Sequence, residues 1–416
     1  VSIAHGYAKA TNDLSLCILH DGVGTLHGAM GLFNAFIDQV PILVLGGGGP
    51  RRKSDRRPWI DWIHSNLDQG SLVSDYVKWY DEPVHIDGVA ESIARAHRIA
   101  MTEPPGPTYV TLDHNVQENP LAEPMEMPDW HRLAPPSGMA PDPASIERAA
   151  EMIVDAELPV ILADRVGKSP ATVDALVSLA EAVGAPVVDN FRSRFNFPNT
   201  HPLNLSGTDI HEEADLIVAL NVLSLNWYVQ ETDYVSHEST DTISEDCSIV
   251  EIGSGELGAA SPVINYFGKR ETDLSILADI ELAVPALAEA VASRLDGTSN
   301  RIEERFEEVR ERHDERRASW RQEAEDRWDE SPVSPPRAVS EIWEVIKDDE
   351  WVLVQGDFIN WAHRLWEIEE FDQYVGSKSG GAGVGYGSGA AIGGALAYAE
   401  SDRVPISLIT DGELLA

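Results

Sequence analysis

Ser379-Gly-Gly-Ala-Gly-Val-Gly-Tyr-Gly-Ser-Gly-Ala-Ala-Ile-Gly-Gly-Ala-Leu-Ala397, followed by Val404-Pro-Ile-Ser-Leu-Ile-Thr-Asp-Gly-Glu413, is the stretch that decides the fold. It reads as a glycine-rich loop, a small-residue helix from about Ala390, and a buried strand ending at Asp411-Gly412. Glycines at 380, 381, 383, 385 and 387 admit positive φ and let a ligand approach the backbone closely. An Asp at the carboxyl end of an apolar strand stands where open α/β sheets bind ligands. Its carboxylate is a hard oxygen ligand suited to Mg²⁺ shared with a diphosphate. For the glycines alone, a close-packed Gly/Ala helix with Asp411 merely starting a turn is an equal reading.

Upstream of this stretch, residues 338–346 read as a helix and 351–354 as a strand, after the proline break Ser331-Pro-Val-Ser-Pro-Pro336. Residues 303–327 form a charged helix with interleaved acids and bases, most simply a solvated face. Between 145 and 295, helices at 146–155, 171–183 and 279–295 alternate with strands at 158–163, 185–189, 216–220 and 247–252. Residues 119–144 are rich in Pro and acid and read as a linker. Residues 1–118 alternate again, with strands at 14–19, 40–45 and 108–112, helices at 25–37 and 90–101, and glycine loops at 22–24 and 46–49. Strands alternating with helices predict parallel sheets covered on both faces.

The 416 residues carry 70 acidic and 31 basic side chains, a net charge of −39 dispersed along the chain. Such a chain repels nucleic acid and anionic membranes, and it has no apolar run long enough to span a bilayer. Dispersed acid with scarce lysine resembles proteins of salt-in halophiles. Only Cys17 and Cys247 occur, which predicts two inert, buried thiols and a cytoplasmic protein rather than a disulfide framework. Gly167-Lys-Ser169 is not a P-loop, because Leu162 stands where the earlier Gly is needed. No spaced GxGxxG after a strand and no zinc-ligand spacing appear, which disfavours a nicotinamide-dependent enzyme.

The run from Gly380 to Gly387, the Ala-rich helix, the strand and Asp411-Gly412 resemble, in that order, the cofactor domain of thiamine-diphosphate enzymes. The nearest group is the acetolactate synthase and benzoylformate decarboxylase superfamily. Ala4-His-Gly-Tyr-Ala-Lys-Ala-Thr11, Gly22-Val-Gly-Thr25, Asn34-Ala-Phe-Ile-Asp-Gln-Val-Pro-Ile42 and Gly106-Pro-Thr-Tyr-Val-Thr-Leu-Asp113 resemble the pyrimidine-binding domain of the same group. The resemblance implies three doubly wound α/β domains: pyrimidine-binding at 1–118, central at 145–330 and diphosphate-binding at 331–416. The first and third are expected to be incomplete, with the family's activating glutamate before Val1 and its second metal ligand beyond Ala416. The chain as given is then expected to be an inactive fragment.

By the same resemblance, Asp411 binds Mg²⁺, and Gly22, Gly24, Gly383, Gly385 and Gly412 border thiamine diphosphate. Val384 wedges between the cofactor's rings, and the Ala382 carbonyl accepts from its 4′-amino group. Thr410 stands where the family carries Gly. Leu19-His-Asp-Gly-Val-Gly-Thr25 resembles the active-site histidine loop of benzoylformate decarboxylase, which makes His20 the candidate acid; His5, His27 and His114 are weaker candidates. An imidazole titrates near neutrality and suits proton delivery. The implied reaction is decarboxylation of a small 2-oxo acid, with the enamine either protonated or added to a second carbonyl. Residues 59–70 lack the Phe-Gln-Glu pattern expected of a true synthase. A homodimer or homotetramer is implied, and no flavin is expected in the central domain. A non-catalytic paralogue keeping the fold is the competing reading.

Self-repulsion among dispersed acids is screened over about 10 Å at 0.1 M salt and about 3 Å at 1 M. The thermal unfolding midpoint is therefore predicted to rise markedly across that range; a flat or falling profile contradicts the halophilic reading.

Overall fold

A computed structural model describes the chain except for residues 122, 126, 190–193, 258–267, 296, 298–299, 357, 377–384 and 416. The fold is α/β on parallel sheets, and contacts divide it into two units. One comprises Val1–Ser137, Lys378–Glu400 and Thr410–Ala416; the other comprises Gly138–Ser377 and Ser401–Ile409.

The first unit opens with α1 (Ser2–Thr11), β1 (Ser15–Leu19), α2 (Gly22–Ile37) and β2 (Ile42–Gly48). It continues with β3 (Trp79–Asp81), α3 (Ile86–Met101) and β4 (Thr108–Asp113). All four strands are parallel, in the order β1-β2-β4-β3. Ile42, Val44 and Val110 are fully buried, as the apolar runs predict. Two details differ from the sequence reading. The strand expected to stop at Leu45 runs on through Gly46, Gly47 and Gly48, pairing with Thr111 to Asp113 of β4. Its glycines make room rather than a loop: a Cβ on Gly46 would lie 1.9 Å from the Tyr109 hydroxyl. The edge strand β3 was not expected, being three residues with no apolar alternation.

The second unit begins with α4 (Pro143–Asp155), β5 (Pro159–Ala163), α5 (Pro170–Val183), β6 (Val187–Asp189) and β7 (Leu216–Leu220). Then come β8 (Ser248–Gly253), β9 (Leu274–Leu277) and α6 (Ile280–Ala292). The sheet is parallel in the order β9-β8-β7-β5-β6. Every residue of β5, β6 and β7 is buried, which is why these strands read as unbroken apolar runs. Both cysteines are free and half-buried, and burial pushes the Cys247 thiol up to about 11.

Helix α7 (Asn300–Asp326) corrects the expectation of a merely solvated charged helix. One face buries Ile302, Arg305, Val309, His313, Arg317, Trp320 and Ala324. Its buried polar side chains serve backbone carbonyls, and those met by Arg305 are ones that helices leave without partners. Arg305 Nε donates to Val183 O at the end of α5 (2.9 Å), and Nη1 donates to Ala156 O (3.3 Å) and Glu157 O (2.5 Å) just past α4. His313 Nδ1 meets Asn204 O at 2.7 Å, and Arg317 Nη1 donates to Asn199 O at 3.3 Å. Burial pushes the Arg305 guanidinium down to about 10, still charged at neutral pH.

Helix α8 (Pro335–Ile346) and β10 (Trp351–Gln355) follow in the second unit. Asn199 locks the next turn to the unit: its Nδ2 donates to His363 O and Trp366 O, and its Oδ1 accepts from Ile368 N. Helix α9 (Tyr386–Ala397) belongs to the first unit, and β11 (Val404–Ser407) pairs in parallel with β10 in the second. The terminal helical turn α10 (Asp411–Leu415) lies in the first unit again.

Removing Arg305 leaves the α4 and α5 carbonyls buried without donors, a loss of about 3 kcal/mol. Arg305→Ala should lower unfolding stability by that amount in urea at fixed salt, and Arg305→Lys should recover part of it. An Arg305→Ala protein as stable as wild type contradicts this role.

Candidate active site

Two groups of the residues singled out above come together, both in the first unit. The first stands at the carboxyl end of β1. His20 follows Leu19 directly and is exposed. Asp21 is buried and caps α2, its Oδ1 accepting from Gly22 N at 2.7 Å, while its carbonyl accepts from Gly24 N. Gly22 and Gly24 thus lie in the first turn of a helix, not in the loop the sequence suggested. The cap on Asp21 supplies what an exposed glycine run lacks. Gly22 is needed for packing: a Cβ there would lie 1.7 Å from Asn66 Nδ2 and 2.6 Å from His64 O.

The neighbouring segment was not legible as part of the site. Ser65 Oγ donates to Asp21 Oδ2 at 2.8 Å, and the His64 ring meets the His20 ring edge-on, with centroids 5.1 Å apart. Behind them, Gln69 Nε2 lies within hydrogen-bond reach of Gly47 O (2.8 Å), Tyr109 OH (2.7 Å) and Thr25 Oγ1 (3.0 Å), sharing its two N–H donors among them, and the two hydroxyls meet at 2.6 Å. This buried network ties α2, β2 and β4 together below His20. The signal was present as polar residues amid apolar runs, without a spacing that joins them.

The second group surrounds the start of α9. That helix begins at Tyr386, earlier than expected, after Gly385 at φ 95°, a conformation that favours glycine. The Glu413 carboxylate takes Gly385 N (3.0 Å) and Gly387 N on its two oxygens. Thr410, the departure from the family's Gly, has a local role. Its Oγ1 accepts from Glu413 N at 3.3 Å and its carbonyl from Leu414 N at 3.0 Å, capping α10. Thr410-Asp-Gly-Glu413 has the spacing of a capping box, yet its glutamate reaches α9 instead of its own cap. Asp411 is exposed, with Oδ1 accepting from Gly412 N at 2.8 Å. A Cβ on Gly412 would meet nothing within 4 Å. Ala382, Gly383 and Val384 lie outside the described residues.

Helix α9 is seated on α1 by bare backbone. A Cβ on Gly6 would lie 2.1 Å from Ala390 O, and one on Gly393 would lie 2.0 Å from Ile3 O. Beside this crossing, the fully buried His5 ring lies tilted against Tyr386, centroids 5.0 Å apart, with Nε2 3.1 Å from Asp38 Oδ2. Of the weaker candidates, His27 is exposed on α2 and His114 pairs with Glu118 at 3.0 Å.

The donor set fits an anionic cofactor with a divalent ion. Two backbone N–H groups at the start of α9 hold an anion in the form of a carboxylate, the same kind of partner as a phosphate oxygen. Asp411, two residues before Glu413, offers a hard, solvent-facing oxygen ligand. Among the described residues no three His, Cys, Asp or Glu side chains converge as a metal site, so Asp411 would be a single protein carboxylate.

Residues 1–72 match the model of the thiamine pyrophosphate enzyme N-terminal TPP binding domain, and residues 146–287 match that of the thiamine pyrophosphate enzyme central domain. The chain is 24% identical over 439 residues to acetolactate synthase 1, chloroplastic, of Nicotiana tabacum, covering 100% of this chain and 59% of the relative. It is 26% identical over 227 residues to "Probable 2-ketoarginine decarboxylase AruI" of Pseudomonas aeruginosa, covering 52% of this chain and 39% of that protein. The fold is shared with benzoylformate decarboxylase from Polynucleobacter necessarius, at a TM-score of 0.77 and 19% identity over 99% of this chain and 72% of that one. The chain spans about 60% of the length of the curated synthases it matches.

Burial holds His5 below the ordinary histidine value, against the pull of Asp38, while Lys9 acts in the same direction as burial. A depressed value means that the folded state resists protonation. Stability from this group is present above about pH 6.5 and is lost as pH falls through the lowered value. Between pH 7.5 and 5.5 the unfolding midpoint should fall further in wild type than in His5→Gln, and equal falls contradict the assignment.

Proposed function

We propose, for a chain that belongs to the thiamine pyrophosphate enzyme family, that the whole protein is a thiamine-diphosphate- and Mg²⁺-dependent decarboxylase of a small 2-oxo acid. The observation that carries this reading is an exposed histidine, His20, at the carboxyl end of β1, edge-on to a second imidazole. Open parallel sheets bind ligands at that edge, and an imidazole there suits proton transfer.

When bound, thiamine diphosphate supplies the carbon nucleophile and electron sink that permit loss of CO₂ from a 2-oxo acid. The chain's own residues do the rest. Asp411 would ligate the metal, while the N–H groups of Gly385 and Gly387 stay on the Glu413 carboxylate that holds the Asp411 turn. Gly412 leaves the approach to the metal open. His20 delivers a proton from a ring nitrogen to the carbon that has lost CO₂, and solvent returns one to it. Carboligation in place of protonation is the second reading, favoured by the whole-chain match to an acetolactate synthase. The protein is read as a homodimer or homotetramer on the strength of the family resemblance, and as cytoplasmic from its two lone cysteines.

Calorimetric titration of the full-length protein with thiamine diphosphate and Mg²⁺ tests the cofactor reading. Asp411→Ala should abolish metal-dependent binding, since this acidic chain has little else to offset a diphosphate. His20→Ala should bind the cofactor normally and turn over a 2-oxo acid about 10²–10⁴-fold more slowly. Equal cofactor affinity in wild type and Asp411→Ala sinks the metal assignment. Cofactor binding without turnover of any 2-oxo acid supports the silent paralogue.

A further inference from the structure

Resting on the decarboxylase reading above, we propose that the 2-oxo acid carries a second carboxylate and that Arg56 is the residue that recognises it. Residues 51–57, Arg-Arg-Lys-Ser-Asp-Arg-Arg, hold five of the 31 basic side chains in a chain of net charge −39. They follow the carboxyl end of β2 and run into the helical turn Asp61–His64, whose His64 ring meets His20. Scarce cations are thus concentrated at the sheet edge where an anionic substrate has to arrive. An acidic protein repels small anions over most of its surface, and a local patch of opposite sign draws them in.

Three of the five are already neutralised. Arg51 pairs with Glu82, Arg52 lies 3.7 Å from Asp55, and Arg57 meets Asp61 at 3.2 Å and Glu118 at 3.9 Å. Lys53 and Arg56 have no carboxylate partner among the described residues, and of the two Arg56 is the one held in place. Its Nε donates to Pro50 O and its Nη2 to Arg51 O, both at 3.4 Å. Three N–H groups remain, two on Nη1 and one on Nη2, along the outer edge of the guanidinium. That edge fits a carboxylate through two parallel bonds. The same two bonds fold Arg56 back onto Pro50, next to Gly49. Gly49 in turn packs on the His20 loop: a Cβ there would lie 1.9 Å from Ser65 Oγ and 3.6 Å from Asp21 Oδ2.

A 2-oxo dicarboxylate suits such a rim. The carboxylate beside the carbonyl is lost as CO₂ and its carbon takes a proton from His20, while the second carboxylate keeps its charge from start to finish. An anchor on that group holds ground state and transition state alike, so its removal is read in KM and leaves kcat little changed. Trp59 and Trp62, exposed at 71% and 74% in the same segment, favour an aromatic 2-oxo acid instead. Charge decides between the two. Five cations within seven residues repel one another, a cost that a carboxylate offsets and a neutral ring does not.

The test is turnover by the full-length protein, loaded with thiamine diphosphate and Mg²⁺, of 2-oxoglutarate and of 2-oxopentanoate, in which a methyl group replaces the second carboxylate. Wild type should favour 2-oxoglutarate in kcat/KM, and Arg56→Ala should reduce that preference about 10-fold, through KM, as loss of a charge-assisted hydrogen bond does. Arg56→Lys keeps the charge without the fork and should recover part of it. An equal preference in wild type and Arg56→Ala overturns the proposal, and so does a wild type that favours phenylglyoxylate or 2-oxopentanoate. Calorimetric titration of 2-oxoglutarate into the cofactor-loaded His20→Ala protein reads the same contact without turnover. Adding Arg56→Ala should weaken that binding about 10-fold, and unchanged binding overturns the proposal. Binding that depends on Arg56 in a protein that turns over no 2-oxo acid would instead remove the decarboxylase reading and leave the Arg56 contact standing.

Discussion

Helix α9 can meet α1 only because neither helix carries a side chain where they cross. Gly6 lies against the Ala390 carbonyl, and Gly393 against the Ile3 carbonyl, at separations that leave no room for a methyl group. Close crossing gives extensive dispersion contact but no latitude. It fixes the start of α9, and with it the N–H groups of Gly385 and Gly387 and the Glu413 carboxylate bonded to them. The Asp411 turn hangs from that same carboxylate. The placement of a candidate metal ligand therefore depends on a contact between two backbones that have no chemistry of their own.

Much of this was legible from residues whose physics is local. Buried parallel strands such as Leu216–Leu220 have no alternation to conceal, and continuous apolar runs located them within a residue or two. Helices with Asp caps, such as α4 behind Asp142 and α6 behind Asp279, began a few residues from where periodicity placed them. His20 stood at its strand end as read. What escaped was set by distant partners. Gly46 looks like a loop until Tyr109 is placed beside it, and Gly22 looks like a ligand cradle until Asn66 and the His64 carbonyl fill the space above it. No spacing along the chain encodes either.

The charged helix α7 shows the same limit in another way. Read by hydropathy it is a surface helix, because Arg305 and Arg317 count as polar. Their long apolar stems and forked donors suit them to a buried face crowded with unpaired carbonyls. In a chain of net charge −39, cations are scarce; Arg305 is nonetheless spent inside, donating to backbone carbonyls at the ends of two helices. Glu413 was missed for a related reason. It completes a local capping signature in sequence, but its side chain serves a helix that starts 27 residues earlier, at Tyr386.

The glycine strand Gly46–Gly48 bears on how this domain can vary. The absent side chain at Gly46 is in effect a slot filled by the hydroxyl of Tyr109, which in turn holds Gln69 and Thr25. Four positions on three strands and helices thus behave as one unit of substitution. A methyl group gained at Gly46 evicts the tyrosine hydroxyl and strands the amide of Gln69, whereas a smaller residue at 109 empties the slot and permits one. Drift at any of the four is open only along paths in which another changes with it, so the floor beneath His20 is inherited whole or rebuilt whole.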